Sequence, residues 1–206
     1  MSFSTRLARA LVPAIIIAAP VAAHAKASPE MALVKTHLSD VSSMTANFTQ
    51  TDSKGQVLNG TLQLKRPGRI RFDYGKANIL VVADGRKLTF IDYDVGQKSS
   101  WDLNRTPLGV LLSDNPDLDR IAKIQPSEDP RVVVLRAVDP SHNEYGKLIL
   151  AFIRDPAAPG GLKLYGWTAV DAQGKRTMVR LSNQRYNVAV PMSAFTYAEP
   201  RKRGRS

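Results

Sequence analysis

The chain has 206 residues, 29 lysines and arginines against 18 aspartates and glutamates, a net charge of +11, and no cysteine. That length suits one generous domain and is short for two. Without cysteine there are no disulfides, no thiol catalysis, no thiolate metal sites and no cysteine-borne lipid anchor, so stability has to come from burial.

At the N-terminus, Arg6 and Arg9 precede an apolar run over residues 10–23 that ends in Ala23-His24-Ala25. This is the pattern of a secretory signal peptide cleaved after Ala25. The run is shorter than the roughly 20 residues that span a bilayer, and Pro13 and Pro20 interrupt it. The expected organisation is a signal at 1–25, one domain at 26–200 and a solvated basic tail at 201–206, with the mature protein in the periplasm. Arg201, Lys202, Arg203 and Arg205 put four cations in that tail. Nucleic acid is a poor explanation of the charge, because the chain is exported and carries no basic helix or stacking motif.

Met31, Val34, Leu38 and Val41 recur at spacings of three, four and three, the stripe of an amphipathic helix beginning near Pro29. Ser28 can cap it and Pro29 takes its first position. His37 falls to the polar side of this helix. From Thr45 the period changes to two. Ala46, Phe48 and Gln50 alternate with polar residues, and Ser53-Lys54-Gly55-Gln56 forms a turn. Leu62 and Leu64 then lead into Lys65-Arg66-Pro67-Gly68, a second turn, beyond which Ile70, Phe72 and Tyr74 make a one-sided strand. An apolar run at 79–83, the turn Asp84-Gly85, a return strand at 88–93 and a short strand at 101–103 continue the meander.

Thr106-Pro107 opens a short helix with Leu108, Leu111 and Leu112 on one face, and Asn115-Pro116-Asp117 restarts a helical turn through Ile121. Strands follow at 131–138, 147–154, 163–170 and 177–185, with a Pro/Gly loop at 155–161 and a hairpin turn at 171–174. Residues 194–197 read as a short closing strand. The expected fold is mainly β (α+β), a single large curved antiparallel sheet with a few helices on one face.

No reactive constellation emerges. His24 lies in the signal, His37 on the first helix and His142 in a loop, and none belongs to a zinc or nucleophile motif. The carboxylate pairs Asp92/Asp94 and Asp117/Asp119 sit in turn-like segments, where Asp bonds nearby backbone. No cofactor is implied, and the reading is not an enzyme. The oddity is Arg66, which shares the alternating register of Leu62 and Leu64. It either snorkels out at the turn or reaches carbonyls of a covering helix and latches it.

The residues resemble the LolA outer-membrane lipoprotein carriers. The resemblance lies in Val41-Ser42-Ser43-Met44-Thr45-Ala46-Asn47-Phe48-Thr49-Gln50, in Gly60-Thr61-Leu62 running into Lys65-Arg66-Pro67-Gly68, and in Ile79-Leu80-Val81 before Asp84-Gly85. Thr106-Pro107-Leu108 with Leu111 and Leu112 is similar to the family's lid helix, and Phe195-Thr196-Tyr197 to its closing strand. The resemblance implies an unclosed β-barrel with a helical lid over an apolar concavity. It implies triacylated lipoproteins as cargo, an inner-membrane lipoprotein-releasing ABC transporter as donor, and an outer-membrane acceptor or the membrane itself as recipient. A monomer suffices for this. Arg66 falls on the family's lid-latching arginine. Leu62, Leu64, Ile70, Phe72, Tyr74, Leu88, Phe90 and Trp101 are the expected acyl-cavity lining. The chain departs from the family at Ile70 and Phe72, where many members carry a bulkier aromatic pair, and over 139–146, where the match thins. An envelope-stress sensor or adaptor on the same fold is the alternative.

Overall fold

The computed structural model describes residues 28–106, 108–112, 116–140 and 143–201. The expected signal peptide with His24, Pro107, Asn115, His142 and the tail beyond Arg201 lie outside the described residues, as does the side chain of Leu111.

The first helix, α1 (Pro29–Asp40), starts where its cap allows: the Ser28 hydroxyl accepts from the Met31 N–H at 3.1 Å, and Pro29 occupies the first turn. Met31, Val34 and Leu38 are buried, as is Val41 just past its end.

Eleven strands follow among the described residues. They are β1 (Ser43–Thr51), β2 (Val57–Lys65), β3 (Arg69–Asp73), β4 (Ile79–Asp84), β5 (Lys87–Asp92), β6 (Gln97–Asp102), β7 (Ala122–Gln125), β8 (Val132–Ala137), β9 (Lys147–Arg154), β10 (Leu162–Val170) and β11 (Arg176–Tyr186). They form one sheet in the order β6-β5-β4-β3-β2-β1-β11-β10-β9-β8-β7, antiparallel throughout, whose two edge strands β6 and β7 are not paired. Between β6 and β7 the chain runs through the short helices α2 (Leu108–Leu112) and α3 (Leu118–Ile121). One device makes four of the hairpin turns. Oδ1 of Asp52, Asp84, Asp92 and Asp171 each accepts two backbone N–H groups within four residues downstream.

The sheet curls. Phe72 on β3 meets Trp167 on β10 edge to face at 5.9 Å between ring centroids. Four strand spacings separate β3 from β10, about 19 Å in a flat sheet. Gly60 helps: a side chain there would run into the Phe48 ring and the Asp73 carbonyl, so its absence lets Phe48 lie across β2 and stack edgewise on Phe72 and Tyr74.

Three expectations change, and one strand goes unforeseen. Residues 194–197 do not pair as a strand. They belong to a segment with a 3-10 turn at Met192–Phe195 that crosses the convex face, packing Val190 and Phe195 on Leu80, Val82 and Ile91. Side chains take its carbonyls in place of a ladder: Lys65 donates to Val190 O, Arg71 to Ala194 O and Thr196 O, and Tyr93 to Ala198 O. The sheet is therefore covered on both faces at β3 to β5. The strand expected at 101–103 starts earlier, at Gln97, and Leu103 begins a 3-10 turn instead. Strand β7 is too short for alternation to reveal. His37 is not on a polar side: it is 2% exposed. The 155–161 loop folds against that flank of α1, with the Pro159 carbonyl 2.8 Å from His37 Nδ1.

Gly160 makes this seat. Its φ is 62°, and a Cβ would sit 2.5 Å from the His37 backbone nitrogen. Gly160→Ala is expected to destabilise the protein by about 1–3 kcal/mol, read as a lower urea midpoint at unchanged slope.

Candidate functional site: a helix-covered apolar interior

Strand pairing fixes which side chains share the concave face. Met44, Leu64, Ile70, Ala83, Leu88 and Trp101 are consecutive cross-strand partners from β1 to β6. Ala46, Leu62, Phe72, Val81 and Phe90 form the next row. All eight residues read from the sequence as lining thus point the same way, Tyr74 lying two beyond Phe72. Burial grades along the rows. Leu62, Leu64, Ile70, Phe72 and Tyr74 are buried, Leu88 and Phe90 are half-buried, and Trp101 is 51% exposed. β6 is an edge strand, so among the described residues no strand beyond it encloses the indole.

Helices roof the same interior. Met31, Val34 and Leu38 from α1, Leu112 from α2 and Leu118 from α3 are buried in one continuous core with the sheet residues, and Leu108 packs on it half-buried. Two ties hold the roof. Lys35 Nζ on α1 lies 2.6 Å from Asp119 Oδ2 on α3, and the Gly68 N–H in the β2–β3 turn donates to the Leu112 carbonyl at 2.8 Å. The Thr106 hydroxyl, expected to cap α2, donates backward to Leu103 O. Asp117 does cap α3, accepting from the Arg120 N–H. The four carboxylates considered for acid–base work therefore serve turns, caps and ion pairs: Asp92 and Asp117 hold backbone N–H groups, Asp94 accepts from Asn78, and Asp119 pairs with Lys35.

Beneath α1 remains a cavity of about 20 Å³, lined by His37, Leu38 and Val41 of the helix, by apolar side chains of the sheet such as Leu62, Leu64, Ile70 and Trp167, and by Arg66. That volume holds about one water. The interior is filled by its own side chains.

Arg66 stands at the end of β2, its N–H donating to Ser42 O at 2.8 Å and its side chain lining the cavity under α1. His37 is its neighbour there. The imidazole packs edge to face on Phe152 and Tyr186, with centroids 5.4 and 5.7 Å away. Burial holds its pKa below the ordinary 6.5, and the Arg66 guanidinium acts in the same sense, against the hydrogen bond to Pro159 and the weaker pull of Asp40. At the other end of the interior Tyr74 donates to Gln50 Oε1 at 2.8 Å, and burial pushes its phenol up to about 12, so this end stays uncharged. Sequence reasoning missed His37. The signal was available: residue 37 stands three after Val34 and four before Val41, on the flank of the buried stripe.

An open antiparallel sheet curled round an apolar interior and roofed by helices defines the class of the fold, an unclosed β-barrel with a helical cover. The profile of the outer membrane lipoprotein carrier protein LolA matches residues 39–198, and the chain belongs to the LolA family of periplasmic, non-enzymatic lipoprotein carriers. The outer-membrane lipoprotein carrier protein of Chromobacterium violaceum is 28% identical over 200 residues, 93% of this chain and 93% of its own. That of Dechloromonas aromatica is 26% identical over 193 residues, 88% of each. A solved LolA superfamily protein from Nitrosomonas europaea superposes with a TM-score of 0.45 at 12% identity, over 83% of this chain and 99% of that one.

The His37 environment gives a pH dependence. The unfolded chain binds a proton near 6.5 that the folded chain resists, so this contribution to stability is complete above that value and is lost as pH falls through the lower folded value. Melting followed by circular dichroism is expected to show a fall in Tm between about pH 7.5 and about pH 5, reduced in His37→Phe. Equal slopes in both proteins would assign the titration to another group.

Proposed function

We propose that this chain encloses the acyl chains of triacylated lipoproteins in the concave interior and shuttles them across the periplasm. The donor is the inner-membrane lipoprotein-releasing ABC transporter, and the recipient is an outer-membrane acceptor or the membrane itself. The observation that carries this reading is that helices, not strands, complete the enclosure: the apolar face from Leu62 to Phe90 is roofed by α1, α2 and α3 across the gap between β6 and β7.

The energetics favour an interior that is closed when empty. Each CH₂ moved from water to an apolar site gains about 0.8 kcal/mol, so three acyl chains offer far more than a carrier can use if cargo is ever to leave. A roof that fills the interior must be displaced, and ligand affinity falls with the population of the open state. Leu112, Leu118 and Val34 are the side chains that cargo would replace. Leu108 and Leu112 form the lid's apolar face, and Leu62, Leu64, Ile70, Phe72, Tyr74, Leu88 and Phe90 the bed, with Trp101 at its open margin. Arg66 acts as the latch: its guanidinium lies under α1 beside His37, where it favours the closed roof and so cargo release.

Two substitutions test this. Protein recovered from a periplasmic extract is expected to carry intact triacylated lipoproteins, identified by mass spectrometry and acyl-chain analysis. Leu64→Glu is expected to lose them, because the charge would sit in the bed. Arg66→Leu is expected to keep its cargo and discharge it about tenfold more slowly to acceptor membranes, since the open state gains population. Release as fast as wild type would remove Arg66 from the mechanism, and recovery of bare peptide or free lipid would overturn the carrier reading itself.

A further inference from the structure

Among the described residues the convex face is covered by a crossing segment on one half only. Over β3 to β5 the C-terminal segment lies across it, but over β7 to β11 the outward side chains are half-buried or exposed, the buried Val170 apart. Those five strands contain no aspartate or glutamate. Register places Lys123, Arg136, Lys147, Lys163, Arg176 and Arg180 on the outward side, opposite the inward row of Leu135, Leu150 and Trp167. Lys123 and Arg136 are direct cross-strand partners, as are Ile153 and Lys163. Like charges placed opposite one another are destabilising in a sheet, so folding alone does not account for the arrangement.

Among the described residues none of these six cations forms an ion pair; the strands' other salt bridge, Arg154 to Glu30, lies at the end of β9 and faces α1. The acids of this region stand in the loops at strand ends. Asp129 is held by Arg131, Asp139 by Arg120, and Asp155 and Asp171 by turn N–H groups, while Glu128 is exposed and Glu144 lies beyond β8. Between the cations run Val132, Val134, Ile149 and Ile153, half-buried, with Tyr165 and Met178 more exposed.

We infer that this outward face of β7 to β11 docks the protein on an anionic lipid surface. The charge complementarity is to a layer rather than to a point. The cations are spread over five strands, about 20 Å across, and converge on no pocket. The centre of a protein–protein interface is depleted of lysine and rich in aromatics, whereas here Lys123, Lys147 and Lys163 run through the face and Tyr165 is the one aromatic of these strands that is exposed among the described residues. Apolar side chains between cations suit the boundary of headgroups and acyl chains. This inference does not rest on the carrier reading, because cargo-free protein would bind.

Flotation with vesicles tests it, using protein purified from a periplasmic extract and freed of any lipoprotein that it carries. Vesicles of phosphatidylcholine with about three parts in ten phosphatidylglycerol are expected to bind it at about 50 mM salt, and phosphatidylcholine alone not to. Binding is expected to fall about tenfold by about 300 mM salt, as screening shortens the reach of the charges. The triple variant Arg136→Gln, Lys163→Gln, Arg180→Gln is expected to lose about tenfold in partition. A charge-matched control, Lys54→Gln, Lys76→Gln, Arg86→Gln, should change it less than about twofold. Equal losses in the two triples would reduce the effect to net charge. Loss on deleting 201–206 with none in the face triple would move it to the tail. No binding to anionic vesicles would overturn the proposal and leave an acidic protein surface as the partner for this face. Circular dichroism melts of both triples check that they fold.

Discussion

Contact between Phe72 and Trp167, from strands that a flat sheet would hold about 19 Å apart, requires the curl on which the rest of the molecule is arranged. Once the sheet bends that far, its inward side chains face one another across a narrow interior instead of facing a second layer. Phe48 sits at the turning point because Gly60 leaves room for its ring. The interior then needs a roof, and the chain supplies one from two directions: α1 ahead of the sheet and α2 with α3 from the link between its edge strands. The family match at 39–198 takes in the whole sheet with α2 and α3, and only the last two residues of α1.

Much of this was legible in the sequence wherever one physical rule acted alone. Alternation placed β3 within a residue, short apolar segments between turns placed β4, β8 and β9 within a residue or two, and Leu64, Ile70 and Leu88 share one face in the register. The Ser28 cap and Pro29 fixed the start of α1. Legibility failed where two neighbours compete for one residue. His37 is polar by type and buried by position, because the 155–161 loop covers a flank that the apolar stripe of α1 does not announce. Ile91, on the convex face, is buried because a segment a hundred residues later lies on it, which no local pattern announces. That segment has the aromatic alternation of a strand, but Lys65 and Arg71 take the carbonyls a ladder would have used. Trp101 kept its face and lost its enclosure, since alternation reports direction and not what stands beyond the last strand.

The polar groups near the interior are few, and each is placed so that its charge state is defined. Tyr74 is kept neutral by burial, and His37 is kept neutral by burial beside a permanent cation. Arg66 is the one permanent charge that reaches the apolar cavity, at the place where helix and sheet meet. A single charge at a seam biases the seam, where the same charge at the centre of the bed would spoil it.

The unpaired edges give the molecule an unusual mechanical property. In a closed barrel, widening the lumen means breaking a ladder of backbone hydrogen bonds. Among the described residues β6 and β7 share none, so the two halves of the sheet are joined strand to strand at the β1–β11 pairing, and their far edges are held by the linking chain, the Gly68–Leu112 bond and side-chain ties. One of these ties is the Arg105 guanidinium, which donates to the Tyr145 hydroxyl at 3.0 Å and bridges the chain after β6 to the chain before β9. Compliance is therefore concentrated in contacts of modest strength that can break and re-form, while every strand keeps its neighbours. An interior with room for one water can in this way change its volume without unfolding any part of the wall.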